Sequence, residues 1–277
     1  MQSYYIVSSL IVTKCPVINP FFLKHFIHNP FYFNPASTIF RLTLHSIISP
    51  KDMKFTYYGH SCFAVETGGI KLLFDPFISG NELAKDIDVN KIEADFILAS
   101  HAHFDHVADL VGIAMRTDAK VLGAYELVSW AGSQGVKNGH PMNFGSAHFD
   151  FGKLHFLPAA HSSSLPDGSY GGNPGGFLVH GKEHNFYYSG DTCVTMDMQL
   201  VPRYAKLDFA ILPVGGNFTM DVEDALIAAE FIQCSKIIGV HFDTFGYIKI
   251  NHQEAVDKFK AAGKELILPE IGETITL

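Results

Sequence analysis

Three histidines and a carboxylate fall within six residues of this chain, in His101-Ala102-His103-Phe104-Asp105-His106. They follow the apolar run Phe96-Ile97-Leu98-Ala99 and Ser100. A short, continuous apolar run bounded by polar residues reads as a buried strand. In extended backbone, residues two apart point the same way, so His101 and His103 present their imidazoles to one side. Asp105 and His106 come at the turn into an expected helix over Val107–Met115 and aim at a second point close by. Imidazole and carboxylate are the ligands that zinc, manganese or iron take in hydrolytic sites. A surface turn is the plainer reading. It accounts poorly for four ionisable groups at a strand end, which repel and desolvate one another without a cation.

Three isolated residues share that placement. His161 follows the apolar stretch ending Leu157-Pro158-Ala159-Ala160, Asp191 follows Phe186-Tyr187-Tyr188-Ser189-Gly190, and His241 follows Ile237-Ile238-Gly239-Val240. Each is a metal-capable side chain just past a hydrophobic strand, and loops at strand ends are where such architectures collect functional groups. Singly, each is more often a turn residue. With the 101–106 cluster they make seven ligands, too many for one tetrahedral ion and suited to two ions sharing a bridging carboxylate.

The elements that must hold these residues can be read in outline. Lys54–Tyr58, Cys62–Glu66 and Ile70–Phe74 are three expected strands, separated by Gly59 and by Gly68-Gly69, which makes a meander. Further strands are expected at Lys120–Ala124, Asp208–Leu212, Lys236–Val240 and Glu265–Leu268. Hairpins are expected over 147–158 and 177–189. Tyr125–Ala131 reads as a helix, Asp221–Cys234 as a helix with Asp221 as N-cap, and Asn251-x-x-Glu254 as a capping box. Meanders first, then alternating units, predict an α/β protein with two sheets covered by helices.

The chain has 277 residues, 47% hydrophobic and 17% charged, with a formal net charge of −8. That balance argues against broad binding to nucleic acid or anionic membrane, which needs a basic surface. No apolar run reaches the roughly 18 to 20 residues of a membrane span. Cys15, Cys62, Cys193 and Cys234 are widely spaced, as reduced thiols of a cytoplasmic protein would be. Residues 1–52 differ in texture: rich in phenylalanine, asparagine and proline, they carry Lys14, Lys24, Arg41 and Lys51 against the single acid Asp52. They are expected to be an atypical extension outside the catalytic domain, 53–277: either a stretch upstream of a natural start at Met53, the favoured reading, or a genuine arm that packs on the domain.

From Met53 onward the sequence resembles the metallo-β-lactamase superfamily, and within it the metal-dependent hydrolases similar to L-ascorbate-6-phosphate lactonase. The resemblance is carried by Tyr58-Gly59-His60-Ser61-Cys62-Phe63, Leu73-Phe74-Asp75-Pro76-Phe77, the 100–106 motif, His161-Ser162, Ser189-Gly190-Asp191-Thr192, Pro213-Val214-Gly215-Gly216 and Val240-His241-Phe242. It implies an αββα sandwich with the site at one edge, between two mixed sheets. It implies that His101, His103 and His161 hold one divalent ion, that Asp105, His106 and His241 hold another, and that Asp191 bridges them. Zinc is the first expectation and manganese the second. The secreted, β-lactam-hydrolysing members carry export signals, and this chain shows none.

The expected activity is hydrolysis of a small ester, lactone or phosphoester, with Asp105 able to handle a proton. A small-molecule substrate is the expected partner, with neither nucleic acid nor membrane. An RNA-processing nuclease and a non-catalytic metal-binding protein are the competing readings. Asp75 is either the group that orients a ligating histidine or a turn cap before Pro76. His60 either touches substrate as a catalytic residue or is a buried turn histidine. The run Gly168–Gly176 is either a lid or a long hairpin loop, and Asn217 could offer an amide to substrate.

Overall fold

The computed structural model describes residues 53–277. The expectations for residues 1–52 lie outside these described residues. Strands β1 (Lys54–Gly59), β2 (Cys62–Thr67) and β3 (Ile70–Phe74) form the expected meander. They are followed by β4 (Phe96–Leu98), β5 (Lys120–Ala124) and β6 (Gly139–Met142). With the last strand, β14 (Thr274–Thr276), they make one seven-stranded sheet in the order β14-β1-β2-β3-β4-β5-β6. The second sheet holds β7 (Ser146–Phe149), β8 (Gly152–Pro158), β9 (Gly175–Gly181), β10 (Asn185–Tyr188), β11 (Phe209–Pro213), β12 (Lys236–Val240) and β13 (Glu265–Ile267). Its order is β13-β12-β11-β10-β9-β8-β7.

Both sheets are mixed in the same way. Pairing is antiparallel up to β3 in one and β10 in the other, and parallel from there on. The inner faces meet through aromatic side chains. Phe63 stacks on Phe74 at 4.6 Å in the first sheet, and Tyr188 of the second meets Phe63 edge-on at 5.0 Å. Phe74 also meets Phe177 and Phe186 across the gap. These rings are fully buried. Aromatic rings of this size supply much of the apolar area that holds two sheets face to face.

Helices cover the outer faces. α1 (Phe104–Val107) and α2 (Leu110–Thr117) follow β4, and α3 (Tyr125–Ser133) follows β5, burying Leu127, Val128 and Ala131. After the short α4 (Val201–Tyr204), α5 (Val222–Phe231) buries Val222, Ala225, Ala228 and Ala229. α6 (His252–Ala261) buries Ala255 and Phe259. Asp221 and Asn251 cap α5 and α6 as expected, accepting from the backbone N–H groups of Asp224 and Glu254. The result is the expected αββα sandwich. No helix among the described residues is long and apolar enough to cross a membrane.

Several boundaries differ from expectation. The single helix expected over Val107–Met115 is broken at Ala108-Asp109. The Asp109 carboxylate accepts from the backbone N–H groups of Ile78 and Ser79 and from the Ser79 hydroxyl, so the loop after β3 captures it. α5 stops at Phe231 rather than Cys234, because Gln233 takes a positive φ of 53°. Gly168–Gly176 is not a free lid. Ser100 O accepts from Gly175 N–H, Pro174 O from Ala159 N–H and Ser169 O from Leu165 N–H, while Gly171, Gly172 and Pro174 are buried.

Past the ends of β11 and β12 the backbones pass so closely that only glycine fits. A methyl group on Gly215 would sit 2.1 Å from the His241 carbonyl oxygen. Gly215→Ala is expected to cost about 1–3 kcal/mol, since overpacking forces backbone shifts. A thermal melt should show a lowered midpoint, and an unchanged midpoint would mean that the two loops are free to separate.

Candidate metal centre

The two sheets bring their strand ends together at one edge, and every candidate ligand arrives there from such an end. β4 delivers the 101–106 motif. His101 is fully buried, and His101 Nε2 lies 2.9 Å from His103 Nδ1, as two residues on one side of extended backbone require. α1 then turns the chain, which carries His106 inward and leaves Asp105 half-buried. β8 leads to His161, β10 to Asp191 and β12 to His241.

Asp191 is the point of convergence. Its Oδ2 lies 2.9 Å from His241 Nε2, 3.2 Å from His106 Nε2 and 3.8 Å from His161 Nε2. Neighbouring donors on a tetrahedral ion lie roughly 3.3 Å apart when each bond is about 2.0–2.1 Å. The observed spacings bracket that value. Three groups of donor atoms lie within 4.8 Å of one another: His101 with His103 and His161; His101 with His106 and Asp191; and His60 with Asp105, His106 and His241. Asp191 Oδ1, His106 Nε2 and His241 Nδ1 are buried without a hydrogen-bond partner. Orphaned buried polar atoms of this kind are costly, and a cation satisfies those that face it. The residues therefore fit a metal centre.

The electrostatics point the same way. Burial opposes ionisation of Asp191, yet the charges of His241 and His106 outweigh it and hold its carboxyl well below the usual range. Burial likewise opposes a charge on His106, but Asp191 and Asp75 raise its pKa well above the usual histidine range, so the two carboxylates call for positive charge at this ring, a proton or a cation at Nε2. Burial pushes His101 down, and His106 beside it adds to the shift.

Asp75 is fully buried and acts as a four-way acceptor. Its Oδ1 accepts from Ser100 N–H at 2.7 Å, and its Oδ2 lies within 2.6–2.8 Å of Ser100 Oγ, Tyr188 Oη and His106 Nδ1. Its backbone sits at φ 41°, outside the regions that non-glycine residues favour. A carboxylate on the far nitrogen of a ligating histidine fixes ring orientation and tautomer. Tyr188 was not foreseen. Its signal was a tyrosine in a buried strand, whose hydroxyl must find a partner.

His60 takes a place that neither reading of the sequence anticipated in full. It is buried, with Nε2 3.1 Å from Asp105 Oδ2 and Nδ1 3.1 Å from Thr244 Oγ1. Burial and the neighbouring His241 lower its pKa to about 4, so the ring is neutral. A neutral ring that accepts from Thr244 donates from Nε2 to Asp105. His60 thus stands behind Asp105 and does not line the cavity. Its carbonyl accepts from His241 N–H at 2.8 Å and from the Tyr57 hydroxyl at 3.0 Å. His60 and His241 both hold φ near 55°, and such strain persists where the surroundings over-determine it.

The centre opens into a cavity of about 710 Å³, lined by His103, Asp105, His161, Asp191 and His241 on one side. Asn217 does not line it, although its neighbour Phe218 does. Asp75→Asn keeps the shape of the side chain but removes the acceptor that fixes His106. Metal affinity should fall about 10- to 100-fold, measured by titration with a competing chelator. An unchanged affinity would reduce Asp75 to a turn cap.

Comparison with known proteins identifies the family. Residues 54–241 match the family model described as a beta-lactamase superfamily domain. A UPF0173 metal-dependent hydrolase of Flavobacterium johnsoniae is 55% identical over 226 residues, spanning 81% of this chain and 100% of the relative. Another, of Christiangramia forsetii, is 51% identical over 227 residues with the same coverage. Igni18, a metallo hydrolase from the hyperthermophilic archaeon Ignicoccus hospitalis, is 32% identical with a TM-score of 0.74, over 81% of this chain and 98% of that one. The chain belongs to the metallo-β-lactamase superfamily and, within it, to the UPF0173 metal-dependent hydrolases.

Proposed function

We propose that the protein is a binuclear hydrolase of small esters, lactones or phosphoesters, working in the cytoplasm. The observation that carries this reading is the position of Asp191, whose carboxylate lies between His106, His241 and His161 at the floor of an open cavity. His101, His103 and His161 would hold one ion, Asp105, His106 and His241 the other, and Asp191 would bridge them. Zinc suits this mixture of nitrogen and oxygen donors, and manganese is the second choice. Bound there, two divalent ions would supply an activated water at neutral pH and polarise the scissile oxygen.

The chain's own residues do the rest. Asp75 and Ser100 orient the His106 and His101 rings through hydrogen bonds to their Nδ1 atoms. His60 holds one Asp105 oxygen and so aims the other at the ion that Asp105 would help hold. The free thiols of Cys62, Cys193 and Cys234 among the described residues suit a reducing compartment.

Elemental analysis of protein purified without chelator should find about two ions per chain, and Asp191→Ala should hold fewer. Chelation should abolish hydrolysis across a panel of esters, lactones and phosphoesters, and added zinc or manganese should restore it. A parent protein that binds at most one ion in excess metal would overturn the binuclear mechanism.

A further inference from the structure

Part of the cavity's wall is aromatic. Phe218, Phe245 and Tyr247 line it. They are 50%, 38% and 79% exposed, unusually high for side chains of their size. They do not sit on loose chain. Phe218 lies in a turn closed by Gly216 N–H on Met220 O, and Met220 N–H in turn donates to Thr192 O, beside Asp191. Phe245 and Tyr247 follow His241 in a loop closed by Asp243 N–H on Ile248 O. The Asp243 carboxylate holds that loop again, accepting from Ile250 N–H and from His252 Nε2. Phe245 rests edge-on against His60 at 5.3 Å, and Phe218 meets Tyr247 edge-on at 6.2 Å. The loops that carry Asp191 and His241 therefore also hold three rings open to solvent around one mouth.

No lysine or arginine lines this cavity among the described residues. Recognition of a phosphate or carboxylate draws on such groups, arginine above all. A concave site that joins apolar rings to a few convergent polar groups fits a ligand with one reactive polar end and an apolar body.

Building on the hydrolase reading above, we infer that the part of the substrate that does not react is uncharged and apolar, an aryl or short alkyl group that rests on Phe218, Phe245 and Tyr247. Phe218 and Tyr247 then determine specificity. Small molecules that carry a phosphate remote from the scissile bond, whose charge would find no lysine or arginine among the lining residues, are poor substrates.

The test uses the full chain loaded with zinc. Phenyl acetate and 4-acetoxybenzoate share one ester and one ring and differ by a remote carboxylate. Acetanilide and 4-acetamidobenzoate are their slowly reacting amide counterparts for binding, followed by NMR titration. The expected result is a kcat/KM about tenfold or more higher for phenyl acetate, because the carboxylate would be desolvated without a partner. Acetanilide should bind more tightly than 4-acetamidobenzoate. Phe218→Ala and Tyr247→Ala should each raise the acetanilide Kd and the phenyl acetate KM about three- to tenfold. Metal content and melting midpoint should stay unchanged in both variants. Tyr247→Lys should shift the preference toward 4-acetoxybenzoate.

The inference is overturned if the charged ester or amide is preferred, or if acetanilide fails to bind. It is also overturned if acetanilide binds both alanine variants as well as the parent, or if the rim instead closes a dimer that excludes the probes. Acetanilide bound as expected, with no ester, lactone or phosphoester turned over, would sink the hydrolase reading and leave the apolar wall standing.

Discussion

A buried carboxylate must have its oxygens satisfied by donors, and Asp75 is the place where this fold meets that demand. It ends β3 in the first sheet. It receives Ser100 from the neighbouring strand end, Tyr188 from the second sheet and His106 from the helical turn. One side chain therefore ties both sheets to one imidazole. It holds a backbone angle that most residues avoid, and the four donors are what make that angle tolerable. Displace Asp75, and the register between the sheets and the aim of His106 are disturbed together.

Strain of the same kind recurs at His60 and His241, which are linked by the bond from His241 N–H to the His60 carbonyl. The edge of the sandwich is thus braced twice. One brace works through the Asp75 carboxylate, the other through the backbone of His60 and the Tyr57 hydroxyl beneath it. Between them lies Asp191, whose position depends on both. The interior of the sandwich is built of rings in contact, so it yields little, and the ligand spacing inherits that stiffness.

Much of this was legible in the sequence because the strands that deliver the ligands are short, apolar and bounded by polar residues. His101, His106, Asp191 and His241 all sit just past such runs, and the structure gathers them at one edge. What escaped was set by tertiary contact. The break at Asp109 comes from N–H groups of Ile78 and Ser79, some thirty residues earlier in the chain. β6 contains Pro141 and β14 is three residues long, and both are edge strands, which carry weak patterns. The placement of His60 was hidden because Thr244, its second partner, is remote in sequence. Phe218, Phe245 and Tyr247 gave no signal at all, since aromatic residues in loops ordinarily mean packing.

Both sheets switch from antiparallel to parallel pairing at the same rank, after β3 in one and after β10 in the other. Each half is therefore a copy of one plan, and each contributes an incomplete set of donors. His101, His103, Asp105 and His106 come from one half, His161, Asp191 and His241 from the other. Each of the three donor groups draws on both halves. A fragment that contains one sheet lacks part of every such group. Metal binding in this chain is thus tied to the docking of its two halves, since complete sets of donors exist only where both sheets meet.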